Sequence, residues 1–283
     1  MSLQAQHDPK NEAEITYWNS AGGRRWVERQ QSQDIVLGPI LQATLERAQL
    51  RQGERVVDIG CGTGASSIAL AERVGPSGQV LGVDVSAPML ARAAERLPPG
   101  ARIKLVRADA TTYQFESAAF DLLFSRFGVM FFAEPARAFA NLRTALKPTG
   151  RLAFACWRKS WLQVPLRAAL EHVPPLPRPG PEDPGLFSFA NEKRVHRILA
   201  DAGFQSVILE PRDFDLDIAF GGGIEEALDA AMALGPTSRA LQDQGPETRA
   251  AVATSIRRAL QPYQRDKQVA LAGAIWLVTA NNA

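Results

Sequence analysis

The chain is 283 residues long, 46% hydrophobic and 22% charged, the balance of a soluble globular protein with a full-sized core. Its formal charge of +2 is too small to argue for a nucleic-acid or membrane surface, and its apolar runs, such as 272–280, are too short to span a bilayer. The two cysteines, Cys61 and Cys156, stand far apart in different motifs, which excludes a disulfide framework, gives no metal spacing and makes a reducing cytoplasm the expected compartment.

The N-terminal residues 1–11 are polar and lack the apolar core of a signal peptide. An aromatic segment follows, Tyr17-Trp18-Asn19 and Gly22-Gly23-Arg24-Arg25-Trp26, which reads as hinged at its glycines. Apolar residues at helical spacing then predict an amphipathic helix over 35–49. From there strand and helix signals alternate: strand 55–59, helix 65–74, strand 79–84, a helix capped by Ser86 and ending near 97, and strand 103–108. Strand 120–125, helix 135–146 and strand 151–157 continue the series. Such alternation implies a parallel sheet with helices on both faces and ligands at the carboxyl ends of the strands. Beyond 157 the pattern changes. A helix is expected over 161–173, and then six prolines within 174–185 predict an extended loop. Helix 191–202, strand 206–218, a break at Gly221-Gly222-Gly223, helices 224–234 and 247–260, and a last strand 271–279 complete the chain.

The most informative stretch is Val56-Val57-Asp58-Ile59-Gly60-Cys61-Gly62-Thr63-Gly64, a buried strand running through an aspartate into a glycine-rich turn. It also fits the dinucleotide fingerprint G-x-G-x-x-A at Gly60, Gly62 and Ala65, so two cofactor chemistries compete for it. Asp58 separates them. A dinucleotide seats its pyrophosphate at the positive end of the following helix. A fixed carboxylate two residues before the first glycine repels that anion and attracts an ammonium or sulfonium cation. S-adenosylmethionine carries both cations and no phosphate.

The stretch resembles the first motif of the Rossmann-like (class I) S-adenosylmethionine-dependent methyltransferases. It is most similar to the small-molecule group that includes ubiquinone-biosynthesis and sterol enzymes, and the resemblance runs from about 54 to 157. What it implies is an α/β fold: a seven-stranded, mostly parallel sheet with helices on both faces, its last strand antiparallel, here with a helical and proline-rich cap. Residues 1–34 then form a lid-like leader, and 35–283 the S-adenosyl-L-methionine-binding domain, with cap insertions at about 159–190 and 221–268. The implied reaction transfers a methyl group to an oxygen, nitrogen or carbon atom of a small molecule, leaving S-adenosyl-L-homocysteine. No nucleic-acid or membrane partner and no metal is expected, and the chain is read as a monomer or homodimer.

Candidate cofactor residues follow the strand ends. Gly60 and Gly62 let backbone approach the ligand, and the amides of the turn, Cys61 included, are expected to take the methionine carboxylate while Asp58 favours the ammonium. Asp84 ends the second strand, where a carboxylate accepts both ribose hydroxyls; an NAD site shares that signal. Val85 and Met89 are read as flanking the adenine, with Met89 as plain helix core the alternative. By resemblance, Asp109 accepts from the adenine amino group, the Ala110 amide serves a ring nitrogen, and the Ser125 carbonyl lies near the methionine amine.

Candidate pocket residues are Trp18, Trp26, Arg126, Phe127, Met130 and Trp157. Arg126 reads equally as the holder of a substrate carboxylate or as half of a buried pair with a sheet-end acid. Trp18 and Trp26 read as a closing lid or as packing of the leader. His172 is the candidate general base by position, and a surface or packing histidine otherwise. Other classes fit less well. Amino-adenine and protein-arginine methyltransferases need an Asn-Pro-Pro-Tyr type motif or paired glutamates where Ser125-Arg126-Phe127-Gly128 stands, and arsenite methylation needs more thiols. The pair Tyr263 and Lys267 mimics that of short-chain dehydrogenases but follows Pro262 just before the last strand. A NAD-dependent oxidoreductase and a non-catalytic S-adenosylmethionine-binding protein remain the alternatives.

Overall fold

Val56, Val57 and Ile59 are all buried, so β1 (Arg55–Ile59) is covered on both faces, as a near-continuous apolar run in a parallel sheet requires. The computed structural model describes residues 7–159, 162–174, 180 and 182–282. The other strands are β2 (Gln79–Asp84), β3 (Ile103–Arg107), β4 (Phe120–Arg126), β5 (Leu146–Lys159), β6 (Gln205–Asp217), β7 (Gln264–Arg265) and β8 (Gln268–Asn281). They lie in the order β3-β2-β1-β4-β5-β8-β6, with β7 paired to β8 alone. The first five pair in parallel, and β8 runs antiparallel to both β5 and β6.

Four helices precede β1: α1 (Glu12–Trp18), α2 (Ala21–Glu28), α3 (Gln30–Val36) and α4 (Gly38–Ala48). Then come α5 (Ala65–Val74), α6 (Ala87–Arg96), α7 (Pro135–Ala145), α8 (Gln163–Ala169) and α9 (Glu192–Asp201). Three more, α10 (Ile224–Ala233), α11 (Gly235–Ala240) and α12 (Pro246–Leu260), lie between β6 and β7. Alternation along the strands divides the core. Val56, Leu122, Phe124 and Ala153 pack with Leu41 and Leu45 of α4 and Leu70 and Val74 of α5. Val57, Leu123, Leu152 and Phe154 belong to the other layer, with Phe139 and Leu142 of α7 and Val195, Ile198 and Leu199 of α9.

The expected α/β architecture stands, with corrections. Among the described residues there are eight strands rather than seven, because Asp266, at φ +50°, turns the chain so that Gln264 and Arg265 pair back onto the start of β8. The helix expected over 35–49 is two, since Pro39 in the first turn of α4 has no amide to continue the ladder from α3. The expected hinge at Gly22 and Gly23 lies inside α2, and its glycines serve close packing instead. A Cβ on Gly22 would stand 2.4 Å from the Tyr17 ring, and one on Gly23 2.0 Å from the Trp18 carbonyl. Residues 160–161, 175–179 and 181, at the start of the helix expected over 161–173 and within the proline stretch, lie outside the described residues.

One close approach fixes the crevice above β1 and β4. A Cβ on Gly60 would stand 2.6 Å from the Gly128 Cα, and one on Gly128 would stand 2.6 Å from the Ile59 carbonyl. Gly128→Ala is therefore expected to cost roughly 1–3 kcal/mol through overpacking, read as a lower urea midpoint with an unchanged slope; an unaltered midpoint contradicts the close approach.

Candidate active site

Asp58 is fully buried, and its Oδ2 accepts from the Ser66 hydroxyl at 2.7 Å and the Ser67 hydroxyl at 2.6 Å. Both serines lie in the first turn of α5, so the carboxylate pins the strand end to the helix start. Its Oδ1 is buried with no hydrogen-bond partner among the described residues. Burial pushes this acid up to about 6, against the pull of the two hydroxyls and of Arg126. Four amides of the turn donate within the fold. Those of Gly60 and Cys61 donate to the Val83 carbonyl, that of Gly62 to Asp84 Oδ2 at 2.8 Å, and that of Gly64 to the Cys61 carbonyl. The Cys61 side chain is buried beside Gly82 and Ser67, and burial holds its thiol well above the usual range.

Asp84 ends β2 half-buried, with Oδ1 accepting from the Ser86 amide at 2.8 Å and Oδ2 from Gly62. Burial pushes this acid above the usual carboxylate range, and the backbone amides pull the other way. Ser86 caps α6 through the Met89 amide, and its hydroxyl donates to the Trp18 carbonyl at 2.6 Å. Met89 is buried, its methyl 2.8 Å from where a Cβ on Gly62 would stand. The Val85 carbonyl accepts from Asn19 at 3.0 Å and from Arg107 at 3.3 Å.

Asp109 and Ala110, just past β3, are buried. Asp109 Oδ1 accepts from the Thr111 amide at 2.8 Å, while Oδ2 accepts from the Asp8 amide at 3.0 Å and the Asn11 side chain at 2.8 Å. Asn11 also accepts from the Ala133 amide, and Asp8 pairs with Arg137 at 2.6 Å. The leader is thus strapped across the ends of β2 and β3. It meets the late helices too, where Arg29 pairs with Asp229 and the Arg239 guanidinium lies 4.0 Å from the Tyr17 ring centre.

Ser125 is buried at the end of β4, its hydroxyl bridging the Ile59 carbonyl and the Gly128 amide at 2.8 and 3.1 Å. Next to it, Arg126 feels Coulombic attraction from Asp34 and Asp58 and repulsion from Arg96, while burial draws its guanidinium below its ordinary value. Its Nη1 is buried and without a hydrogen-bond partner among the described residues, as is Asp34 Oδ1. Phe127, strained at φ +71°, stacks on Trp157 with 4.5 Å between ring centres. Trp18 sets its edge against Phe131 at 5.2 Å and against Trp26 at 6.2 Å. Met130 is buried, and its sulfur accepts from the Trp157 amide at 3.4 Å. His172 shares a 2.8 Å hydrogen bond with Ser255, which joins α8 to α12 rather than reaching the glycine turn.

Sequence reading missed Asn11, Asp34 and Arg96, which no motif marks. Asp34 and Arg96 pair at 2.6 Å beside the turn, and Arg96 also donates to the Thr63 carbonyl at 2.7 Å. Two open grooves lie elsewhere. One of about 460 Å³ is lined by Arg55, Gln79, Arg102 and Tyr113, and one of about 530 Å³ by Arg158, Asp213 and Phe214. Neither touches the glycine turn. The strand-end crevice is the better candidate, because unpaired buried charges converge there and the leader fills it.

Residues 56–150 match a family described as a methyltransferase domain. The segment is similar to methyltransferase domains. Demethylmenaquinone methyltransferase of Staphylococcus aureus (strain JH9) is 37% identical over 101 residues, 36% of this chain and 42% of that protein. The chain therefore spans less than half the length of the curated relatives it matches. Haemonchus contortus phosphoethanolamine N-methyltransferase 2, solved with S-adenosyl-L-methionine, superposes with a TM-score of 0.55 at 22% identity, over 92% of this chain and 60% of that one. The YcgJ protein of Bacillus subtilis gives 0.56 at 13%, over 87% and 99%. These structural likenesses concern the fold. Among the described residues no helix of the chain is long and apolar enough to cross a membrane.

Asn11 is one of the residues that hold the leader on the strand ends. Asn11→Ala removes its bonds to Asp109, Thr111 and Ala133, and is expected to cost about 1–3 kcal/mol. Amide hydrogen exchange over residues 8–28 should accelerate while β1 stays protected; unchanged exchange in the leader contradicts the strap.

Proposed function

We propose that this protein is an S-adenosylmethionine-dependent methyltransferase acting on a small-molecule acceptor. The observation that carries the reading is the order of charges along four adjacent strand ends: Asp109 at β3, Asp84 at β2, Asp58 at β1 and Arg126 at β4. Three inter-strand steps of about 4.8 Å give a track of about 14 Å. That is the scale of an extended nucleoside joined to an amino acid. Such a ligand needs hydrogen-bond acceptors at its nucleoside end and a zwitterion partner at the other, and no phosphate cradle. The unpaired buried oxygens of Asp58 and Asp34 and the unpaired nitrogen of Arg126 fit that demand.

In this reading Asp84 takes the ribose hydroxyls on its remaining lone pairs. Asp109 Oδ1 keeps one lone pair for the adenine amino group, beside the Ala110 amide, with Val85 and Met89 against the ring. The Ser125 carbonyl lies at the amine. When bound, S-adenosylmethionine supplies an electrophilic methyl group on sulfur. The chain's own part is to hold that group in line with the acceptor and to exclude water, which accounts for much of the rate in such transfers. Trp18, Trp26, Phe127, Met130 and Trp157 supply the apolar walls, with the leader (1–34) as lid and the insertions at about 159–190 and 221–268 as cap. The quinone-methylating relative favours an acceptor of small, largely apolar kind.

Transfer of labelled methyl from S-adenosylmethionine to a metabolite library tests the reading. At least one acceptor should gain label, and Asp84→Ala should weaken S-adenosylhomocysteine binding several-fold or more. A chain that binds S-adenosylhomocysteine but labels nothing would be a binding protein. Unaltered affinity in the variant would remove Asp84 from the ribose.

A further inference from the structure

The amides of Gly60, Cys61, Gly62 and Gly64 donate within the fold, so a ligand carboxylate at the glycine turn needs a donor besides these four. The nearest unspent cation is Arg126. Its Nη1 is buried and unpaired among the described residues, although the charges of Asp34 and Asp58 attract it. The neighbouring cation, Arg96, is already engaged by Asp34 Oδ2 at 2.6 Å and the Thr63 carbonyl at 2.7 Å. A buried guanidinium nitrogen without a partner is costly. The two acids that face it each leave one buried oxygen unpaired as well. The cluster is therefore short of one anionic acceptor and one cationic donor at the same point, beside Gly60.

We propose that Arg126 is the anchor for the carboxylate of the cofactor's amino-acid end, with the ammonium between Asp58 and Asp34. The assignment rests on the S-adenosylmethionine reading above. It gives Arg126 a cofactor role in place of the substrate-binding or purely structural ones that its position in the sequence allows. A guanidinium suits the task because its planar fork donates to both carboxylate oxygens. Asp34 sits on α3, so the same cluster ties occupancy of the amino-acid end to the leader.

Calorimetry on the full chain tests this with two ligands. S-adenosylhomocysteine has the amino-acid end, and 5′-methylthioadenosine keeps the nucleoside and thioether but lacks it. Arg126→Met should weaken S-adenosylhomocysteine about ten-fold or more, as loss of a charged hydrogen bond implies, and leave 5′-methylthioadenosine within about two-fold. Arg126→Lys should fall between. Equal losses for both ligands, or no loss for S-adenosylhomocysteine, overturn the assignment. Should the methionine variant not fold, the wild-type chain decides. Decarboxylated S-adenosylhomocysteine should then bind about ten-fold or more weakly than the parent, and equal affinity overturns the anchor. A wild-type chain that binds neither nucleoside overturns the cofactor reading itself.

Discussion

A carboxylate buried at a strand end organises the rest of the site. Asp58 receives both Ser66 and Ser67 on one oxygen, and this ties β1 to the start of α5. With the turn fixed, Gly60 can lie against Gly128, and the end of β4 is brought over β1. The remaining Asp58 oxygen is buried and unpaired among the described residues, and Arg126 feels the charges of both Asp58 and Asp34. Burying three partly unpaired charges is expensive in any fold. The cost is reasonable where a zwitterionic ligand completes the set.

The leader is the second determinant. It is helical and docks by polar contacts to the strand ends: Asn11 and Asp8 at Asp109, Asn19 at Val85 and Ala87, and Trp18 at Ser86. These are the same strand ends that an adenosine would address. Under the proposed function, a leader that hydrogen-bonds to Asp109 makes ligand entry and leader docking depend on one another. Its attachment to the late helices through Arg29 and Tyr17 spreads that dependence to the segment between β6 and β8.

The sheet was legible in the sequence because its strands are short apolar runs bounded by glycine and aspartate, with amphipathic helices between them. Asp58, Asp84 and Asp109 stood out because a lone acid at the end of such a run is conspicuous. What was not legible depends on contacts between distant segments. Asp34 looks like a polar residue in a polar leader, and only the fold brings it to Arg96 and Arg126. Gly22 and Gly23 read as a hinge, whereas they are small so that Tyr17 and the Trp18 carbonyl can approach α2. That the amides of Gly60, Cys61, Gly62 and Gly64 donate to Val83, Asp84 and Cys61 was likewise not visible in the sequence. The Arg126 side chain could be read two ways because its partners lie far away in the chain.

The central claim is that Asp58 is a buried counter-charge for the ammonium of a phosphate-free cofactor. Calorimetric titration of S-adenosylhomocysteine from pH 8 to pH 5, in buffers of different ionisation heat, tests it most directly. Asp58 is pushed up to about 6 in the free protein, and the bound ammonium favours its ionised form. Affinity should therefore hold above pH 7 and fall on acidification through pH 6, by at most about ten-fold per pH unit, with a proton released on binding. Affinity that is flat across this range with no proton released, or a site that takes NAD in preference, would contradict the claim.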